Sequence, residues 1–333
     1  MTILLWIGFI VFVLLMLAID LGIFNRQAHV ISAREALAWT VVWIVCALLF
    51  NVLVYYLYTH HWLGIGKDIG HELSGSEAAV QFFTGYVIEK SLSLDNIFVI
   101  ALIFAYFQIP RMYQHRVLMW GVLGALVLRG VMIGAGVALI RRFEWIIYVF
   151  GVLLLATAVK MLMAQRENIE PDRNPLIRLA RRFYPVTPEL QGQKFFVRMD
   201  GRRAITPLFL VLLMVESTDV LFAVDSIPAI FAITRDPFLV FTSNVFAILG
   251  LRSLYFALAS LLDKFRYLKT SLVFILAFVG VKMLLSHHHP IPTAFSLSVI
   301  AAALLVGVAA SVIAARRPRR DGPSAEPPGD GAV

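Results

Sequence analysis

"VESTDVLFAVDSIPAI", residues 215–230, lies inside an apolar run from Pro207 to Ile233, yet it carries Glu216, Asp219, Asp225 and a helix-breaking Pro228. What those acids cost depends on the solvent around them. The 333-residue chain is 60% hydrophobic and only 15% charged, whereas a soluble domain runs nearer half apolar and a quarter charged. Apolar windows of about 18 or more residues, the length that crosses a bilayer core, recur at nine places: about 3–19, 36–58, 79–107, 117–140, 144–164, 205–233, 238–260, 268–285 and 291–314. The pattern predicts an all-α polytopic membrane protein with about nine transmembrane helices, and the lipid bilayer as its first partner.

The basic residues orient it. With the N-terminus outside, twenty of the 29 Lys and Arg residues fall in cytoplasmic segments, nine of them in 165–204. Four (Lys67, Arg141, Arg142 and Arg235) fall in external loops, and five (Lys90, Arg129, Lys160, Arg252 and Lys282) fall within spans. This excess predicts N-terminus out and C-terminus in, across the cytoplasmic (inner) membrane. Spread over many loops, the charge argues against nucleic acid as a partner. The six Trp residues all fall near proposed span ends, as interfacial anchors do. Segment 3–19 has no basic residue before it and no small-x-small site after it, so it reads as an uncleaved first span. The single Cys46 offers no intrachain disulfide and no CxxC chemistry. The segment 165–204 reads as a basic cytoplasmic loop that sets topology, with contact to anionic headgroups as the lesser reading. Residues 316–333 read as a disordered cytoplasmic tail.

A repeat lies in the middle of the chain. "DNIF" (95–98) pairs with "DVLF" (219–222), "LVLRG" (126–130) with "LGLRS" (249–253), and "VKMLM" (159–163) with "VKMLL" (281–285). The spacing from Asp95 to Arg129 to Lys160 matches that from Asp219 to Arg252 to Lys282 within one residue at each step. Two three-helix repeats, 79–164 and 205–285, follow, flanked by two N-terminal helices and loops (1–78) and a C-terminal helix (286–315). Two consecutive copies of an odd number of spans enter the membrane from opposite sides, so the repeats are expected to be inverted. Inverted repeats with a site at the midplane are a transporter architecture. Asp95 and Asp219 sit near the middle of their spans, and are expected to approach one shared ion.

A charge at the centre of a membrane helix costs roughly 2.5–3.5 kcal/mol even on the lenient scale, so Glu89, Asp95, Glu216, Asp219 and Asp225 must be neutralised. Lys90, Arg129 and Arg252 are candidate structural ion-pair partners, whereas Lys160 and Lys282 lie near span ends and can snorkel. The midplane set is then left with about two uncompensated negative charges, an excess that a divalent cation or protons would neutralise. Carboxylate, amide and hydroxyl oxygens suit hard cations such as Mn²⁺, Mg²⁺ or Ca²⁺. No His or Cys lies beside the acids, which counts against zinc and copper. Ser91, Ser93 and Asn96 add neutral oxygens, although membrane serines more often bond back to their own helix. On an unbroken helix Asp225 points opposite Glu216; Pro228 is expected to kink or unwind the helix around 224–228 and swing Asp225 toward the site. His60, His61 and His71, with His287, His288 and His289, fall in proposed external loops, either as ordinary interface residues or as a metal vestibule.

"EKSLSLDNIFV" (89–99), "ESTDVLFAVDSIPAIFAIT" (216–234) and "LGLRSLYFAL" (249–258) together resemble the TerC family of integral membrane proteins, particularly its Alx-like members. The resemblance covers about 79–285. It implies an association with tellurium (tellurite) resistance and, for Alx-like members, manganese export. Carried onto this chain, the motif acids are Glu89, Asp95, Glu216, Asp219 and Asp225, with Asn96 and Ser226 beside them. The expected metal ligands are thus Glu89, Asp95, Asn96, Glu216, Asp219 and Asp225, supported by Ser93, Ser226, Pro228, Arg129 and Arg252.

These readings converge on a secondary transporter that exports Mn²⁺ without a tightly bound cofactor. No Walker motif is present, so protons are the candidate coupling ion. The alternative is a metal-binding membrane scaffold or sensor that supplies or regulates partner proteins. An intramembrane aspartyl protease is disfavoured, since Leu94 and Thr218 precede Asp95 and Asp219 where that chemistry uses "YD" and "GxGD"; the expectation is that the chain is no enzyme.

Overall fold

A computed structural model describes residues 2–22, 32–66, 72–143, 145–163, 171–199, 201–258, 268–285 and 291–316. Lys67, His71 and His287, His288 and His289 lie outside the described residues, as does the tail from residue 317. Helix forms where the apolar windows lie: α1 (Thr2–Gly22), α2 (Ala33–Thr59), α3 (Gly75–Tyr106), α4 (Arg111–Arg142), α5 (Ile146–Met163), α7 (Pro207–Phe231), α8 (Pro237–Leu249), α9 (Leu251–Leu258), α10 (Leu268–Leu285) and α11 (Thr293–Arg316). The starts carry their own signals. Ser74 and Glu77 close a reciprocal capping box on α3, and Asp236 caps α8 by accepting from the amides of Phe238 and Leu239. Six stretches are long and apolar enough to cross a membrane: α2, α4, α5, α7, α8 with α9 taken together, and α11. The chain is an all-α polytopic membrane protein; α3 misses that criterion with Glu77, Glu89, Lys90 and Asp95 along its length.

Two expectations change. First, α7 runs unbroken through Pro228 to Phe231. Pro228 stands one turn from the C-terminal end, so its missing N–H frees only the carbonyl of Val224 and no long stretch of helix depends on it. Second, the break falls elsewhere. The window 238–260 is two helices, α8 and α9, divided at Gly250. The Lys90 ammonium donates to the carbonyl of Ala247, at 3.2 Å. A cation at the C-terminal end of α8 meets the negative end of the helix dipole and a carbonyl that the break has freed. A side chain at Gly250 would stand 2.6 Å from that Nζ.

The basic segment before α7 holds more structure than its charge suggests. Asn174 caps α6 (Pro175–Phe183) through the amides of Leu176 and Ile177. An antiparallel hairpin follows, β1 (Phe196–Met199) with β2 (Arg202–Ile205), turned with Gly201 in the left-handed region at φ +77°. Ile177, Ile205 and Leu210 form a small buried core that pins this layer to the start of α7.

The main body packs around α8, whose stretch is 89% buried against 17–28% for the other five. On one side, Phe9 of α1, Phe50 of α2, Phe82 of α3 and Phe238 and Phe246 of α8 meet ring to ring. On the other, α5, α7 and α10 share an aliphatic core that includes Leu154, Ile227, Ile275 and Val279. Small residues allow the closest crossings: a methyl on Gly280 would stand 3.0 Å from the Gly151 carbonyl. Tighter still, a methyl on Gly75 would stand 2.4 Å from the Tyr55 carbonyl and nearer yet to the Thr59 hydroxyl. Gly75→Ala is therefore expected to push α3 off α2 and to destabilise by about 1–3 kcal/mol, read as a lowered Tm in detergent.

Candidate functional site

The acids of α3 and α7 meet one another through α4. Arg129 of α4 is buried, at 1% exposure. Its Nη1 bonds Oε1 of Glu89 on α3. Its Nη2 and Nε take both oxygens of Asp219 on α7, at 2.8 and 3.1 Å. Nη1 also reaches Oδ1 of Asn244 on α8, at 3.3 Å, and Oγ of Ser226, at 3.5 Å. One guanidinium thus ties four helices together, with the bidentate geometry that suits a carboxylate. Asn244 was not singled out by sequence reasoning, although a lone Asn within "FTSNVFAIL" was a visible signal.

Beside this cluster lies a cavity of about 460 Å³. Glu89, Asp95, Asn96, Asp225 and Ser226 line it, with Thr157 and Lys160 from α5 and Lys269 from α10. Asp225 accepts from the Thr157 hydroxyl at 2.7 Å. Two buried oxygens here have no donor: Oε2 of Glu89 and Oδ1 of Asn96. A buried acceptor without a donor is costly, and a cation is one way to satisfy it.

The remaining residues sit apart. Asp219 is turned to Arg129 and does not share the cavity with Asp95. Glu216 packs against Gly124 of α4, where its Oε2 is also buried without a donor. Glu216 and Asp225 lie on opposite faces of α7, as an unbroken helix requires. Ser93 is buried on α3 away from the cavity, and Ser91 bonds back to Val87. Arg252 stands beside His115 at 3.3 Å, fourteen residues, or about 21 Å of helix, before Arg129 along α4. Among the described residues, no three His, Cys, Asp or Glu side chains gather into a metal-binding group.

A second cavity, of about 340 Å³, opens at the opposite ends of the same helices. It is lined by Gln81 at the start of α3, Ile147 of α5, residues 231–236 at the end of α7, and Lys282 of α10. Lys282 donates to Ser296 at 2.9 Å. Asp236, at its edge, accepts from the Tyr58 hydroxyl at 2.6 Å. Burial holds the Asp236 carboxyl above the ordinary carboxylate range, against the lowering by Tyr58, the two capping amides and Arg141. The folded protein therefore binds more protons than the unfolded chain between the ordinary and the raised value, so stability falls as pH rises through that window. Asp236→Asn keeps the cap but cannot ionise. It is expected to flatten this part of the Tm-against-pH curve, with the two curves diverging most above the window.

With the geometry in place, the chain can be set beside known proteins. A model of the family described as "Integral membrane protein TerC family" matches residues 74–319. A membrane protein of Myxococcus xanthus is 51% identical over 312 residues, 94% of this chain and 93% of the relative. A protein of Escherichia coli K12 named "Putative membrane-bound redox modulator Alx" is 48% identical over 300 residues, 90% of this chain and 91% of the relative. No solved structure matches the chain.

Proposed function

The chain belongs to the TerC family of integral membrane proteins, and from that premise we propose that it is a secondary transporter of a hard divalent cation, exporting Mn²⁺ from the cytoplasm. The observation that carries this reading is the pair of buried oxygens without donors, Glu89 Oε2 and Asn96 Oδ1, on two residues that line one cavity with Asp95, Asp225 and Ser226. Those are oxygen donors of the kind that hard cations take. The cavity brings the carboxylates of Glu89, Asp95 and Asp225 together with Lys160 and Lys269, so a bound cation is held by the negative charges among them.

The pairing of helices supports two inverted repeats, 79–164 and 205–285, among nine spans. α3 packs on α8 as α7 packs on α4, and the third helices, α5 and α10, pack on each other. Lys160 and Lys282, equivalent in the repeats, line cavities at opposite ends of the bundle. With the N-terminus outside, the cavity of Glu89 faces the cytoplasm and that of Lys282 the exterior, two half-pathways that alternating access would join in turn.

The test is ⁵⁴Mn²⁺ flux into proteoliposomes holding the full chain, with and without a proton gradient. Flux above that of empty vesicles, saturable and competed by Mn²⁺ over Zn²⁺, is the expected result. Binding of Mn²⁺ by the purified protein without flux would instead favour a scaffold or sensor. The single Cys46, half-buried on α2, gives no dithiol through which the redox role in the relatives' name could run.

A further inference from the structure

The carboxylate that lines the cavity is already half-occupied. Glu89, which lines the cavity, gives one oxygen to Arg129, and its other oxygen is buried with no donor. A cation arriving at that second oxygen meets a carboxylate whose charge is shared with a guanidinium, and meets the guanidinium's own repulsion at short range. Arg129 holds Asp219 by two bonds and Glu89 through Nη1 alone. The hold on α7 is thus bidentate and the hold on α3 is single. A further acceptor waits on the same side of α7. Glu216 is one turn before Asp219, lies against α4 at Gly124, and has Oε2 buried without a donor.

We infer that Arg129 is a tethered counter-ion that competes with the transported cation. It neutralises Glu89 while the cavity is empty, and it is displaced when the cation binds Glu89, keeping Asp219 and taking Glu216 as its new acceptor. This rests on the transport reading above and adds a role for Arg129 and Glu216 that lining the cavity does not provide. It also accounts for the absence, among the described residues, of any gathered group of three acids: with Arg129 on Glu89, the ion site is not assembled. No covalent bond is made or broken: Arg129 and the three carboxylates Glu89, Asp219 and Glu216 carry a net charge of about −2 with the cavity empty, and the entering divalent cation neutralises it while Arg129 leaves Glu89 for Glu216. An arginine cannot release its charge as a proton, so it can only move. That makes it a positioning residue whose two resting places define an empty and a loaded state.

The test is equilibrium binding of ⁵⁴Mn²⁺ to the full chain in detergent, on monodisperse protein. Arg129→Gln is expected to bind Mn²⁺ about tenfold tighter than wild type or more, because the competitor is gone. Arg129→Lys keeps the charge but loses the two-pronged hold on Asp219, so its affinity should fall between those of wild type and Arg129→Gln. Glu216→Gln removes the second acceptor and should weaken binding about tenfold, although it does not line the cavity. If Arg129→Gln does not fold, Arg129→Gln with Asp219→Asn removes both members of the bidentate pair and carries the same expectation. A purely structural Arg129 would lower folded yield without tightening binding. Folded Arg129→Gln, alone or with Asp219→Asn, that binds no tighter than wild type would overturn the inference while leaving the transport reading intact; unchanged binding by Glu216→Gln would remove Glu216 as the acceptor. A wild-type protein that binds no Mn²⁺ at all would sink both.

Discussion

Asp225→Asn is expected to cut Mn²⁺ flux in proteoliposomes about 100-fold, the equivalent of roughly 3 kcal/mol of lost cation binding, while leaving Tm within a few degrees of wild type. Asp225 lines the cavity, and its neutral hydrogen-bond partner is the Thr157 hydroxyl. An asparagine oxygen can still accept that bond and can still face the cavity. What disappears is one of the negative charges lining the cavity, and a hard divalent cation depends on it. Flux at wild-type levels in Asp225→Asn would exclude the cavity as the ion's path. Loss of flux only in proportion to lost folded protein would reassign Asp225 to structure.

Asp219→Asn should behave in the opposite way, although it lies on the same helix two turns earlier. Asp219 takes two hydrogen bonds from a buried guanidinium. Removing one partner of a buried pair typically costs about 3–5 kcal/mol, because the other charge is left uncompensated, a large share of the roughly 5–15 kcal/mol that holds a domain together. The expected readout is a marked fall in Tm and in folded yield, with flux per folded molecule falling less than in Asp225→Asn. The double substitution Arg129→Gln with Asp219→Asn removes both charges of the bidentate pair and should recover part of the lost Tm. If Asp219→Asn is as stable as wild type and dead for flux, Asp219 is an ion ligand and Arg129 is not its principal partner.

The contrast between the two aspartates marks how far sequence could reach. Apolar length located helix at each of the nine windows, because that signal is local and strong. The acids of "EKSLSLDN" and "ESTDVLFAVDS" were also legible, since a charge in an apolar run has few explanations. Which acid belonged to the cavity and which to Arg129 was not legible, because that depends on how α4 packs between α3 and α7. Periodicity did place Asp225 opposite Glu216, but Pro228 was given more weight than its position warranted. One turn from the end of a helix, a proline frees one carbonyl and little else. The true discontinuity at Gly250 was missed for a related reason. Glycine is common within membrane helices, so nothing local in "AILGLRSL" separates a glycine that packs from one that divides two helices. The division became readable only with the Lys90 side chain lying across it.

That division also bears on how the chain is made. α8 has 13 residues and α9 has 8, about 20 Å and 12 Å of helix, so neither alone covers a bilayer core of about 30 Å. Their joint stretch is 89% buried, so in the finished protein it hardly meets lipid. A segment of this kind gains little by leaving the translocon on its own: its carbonyls at the break need Lys90, and its rings need Phe50 and Phe82. All three partners belong to α2 and α3, which are synthesised first. The packing is thus consistent with the order of synthesis: when α8 emerges, the side chains that bury it are already in the chain.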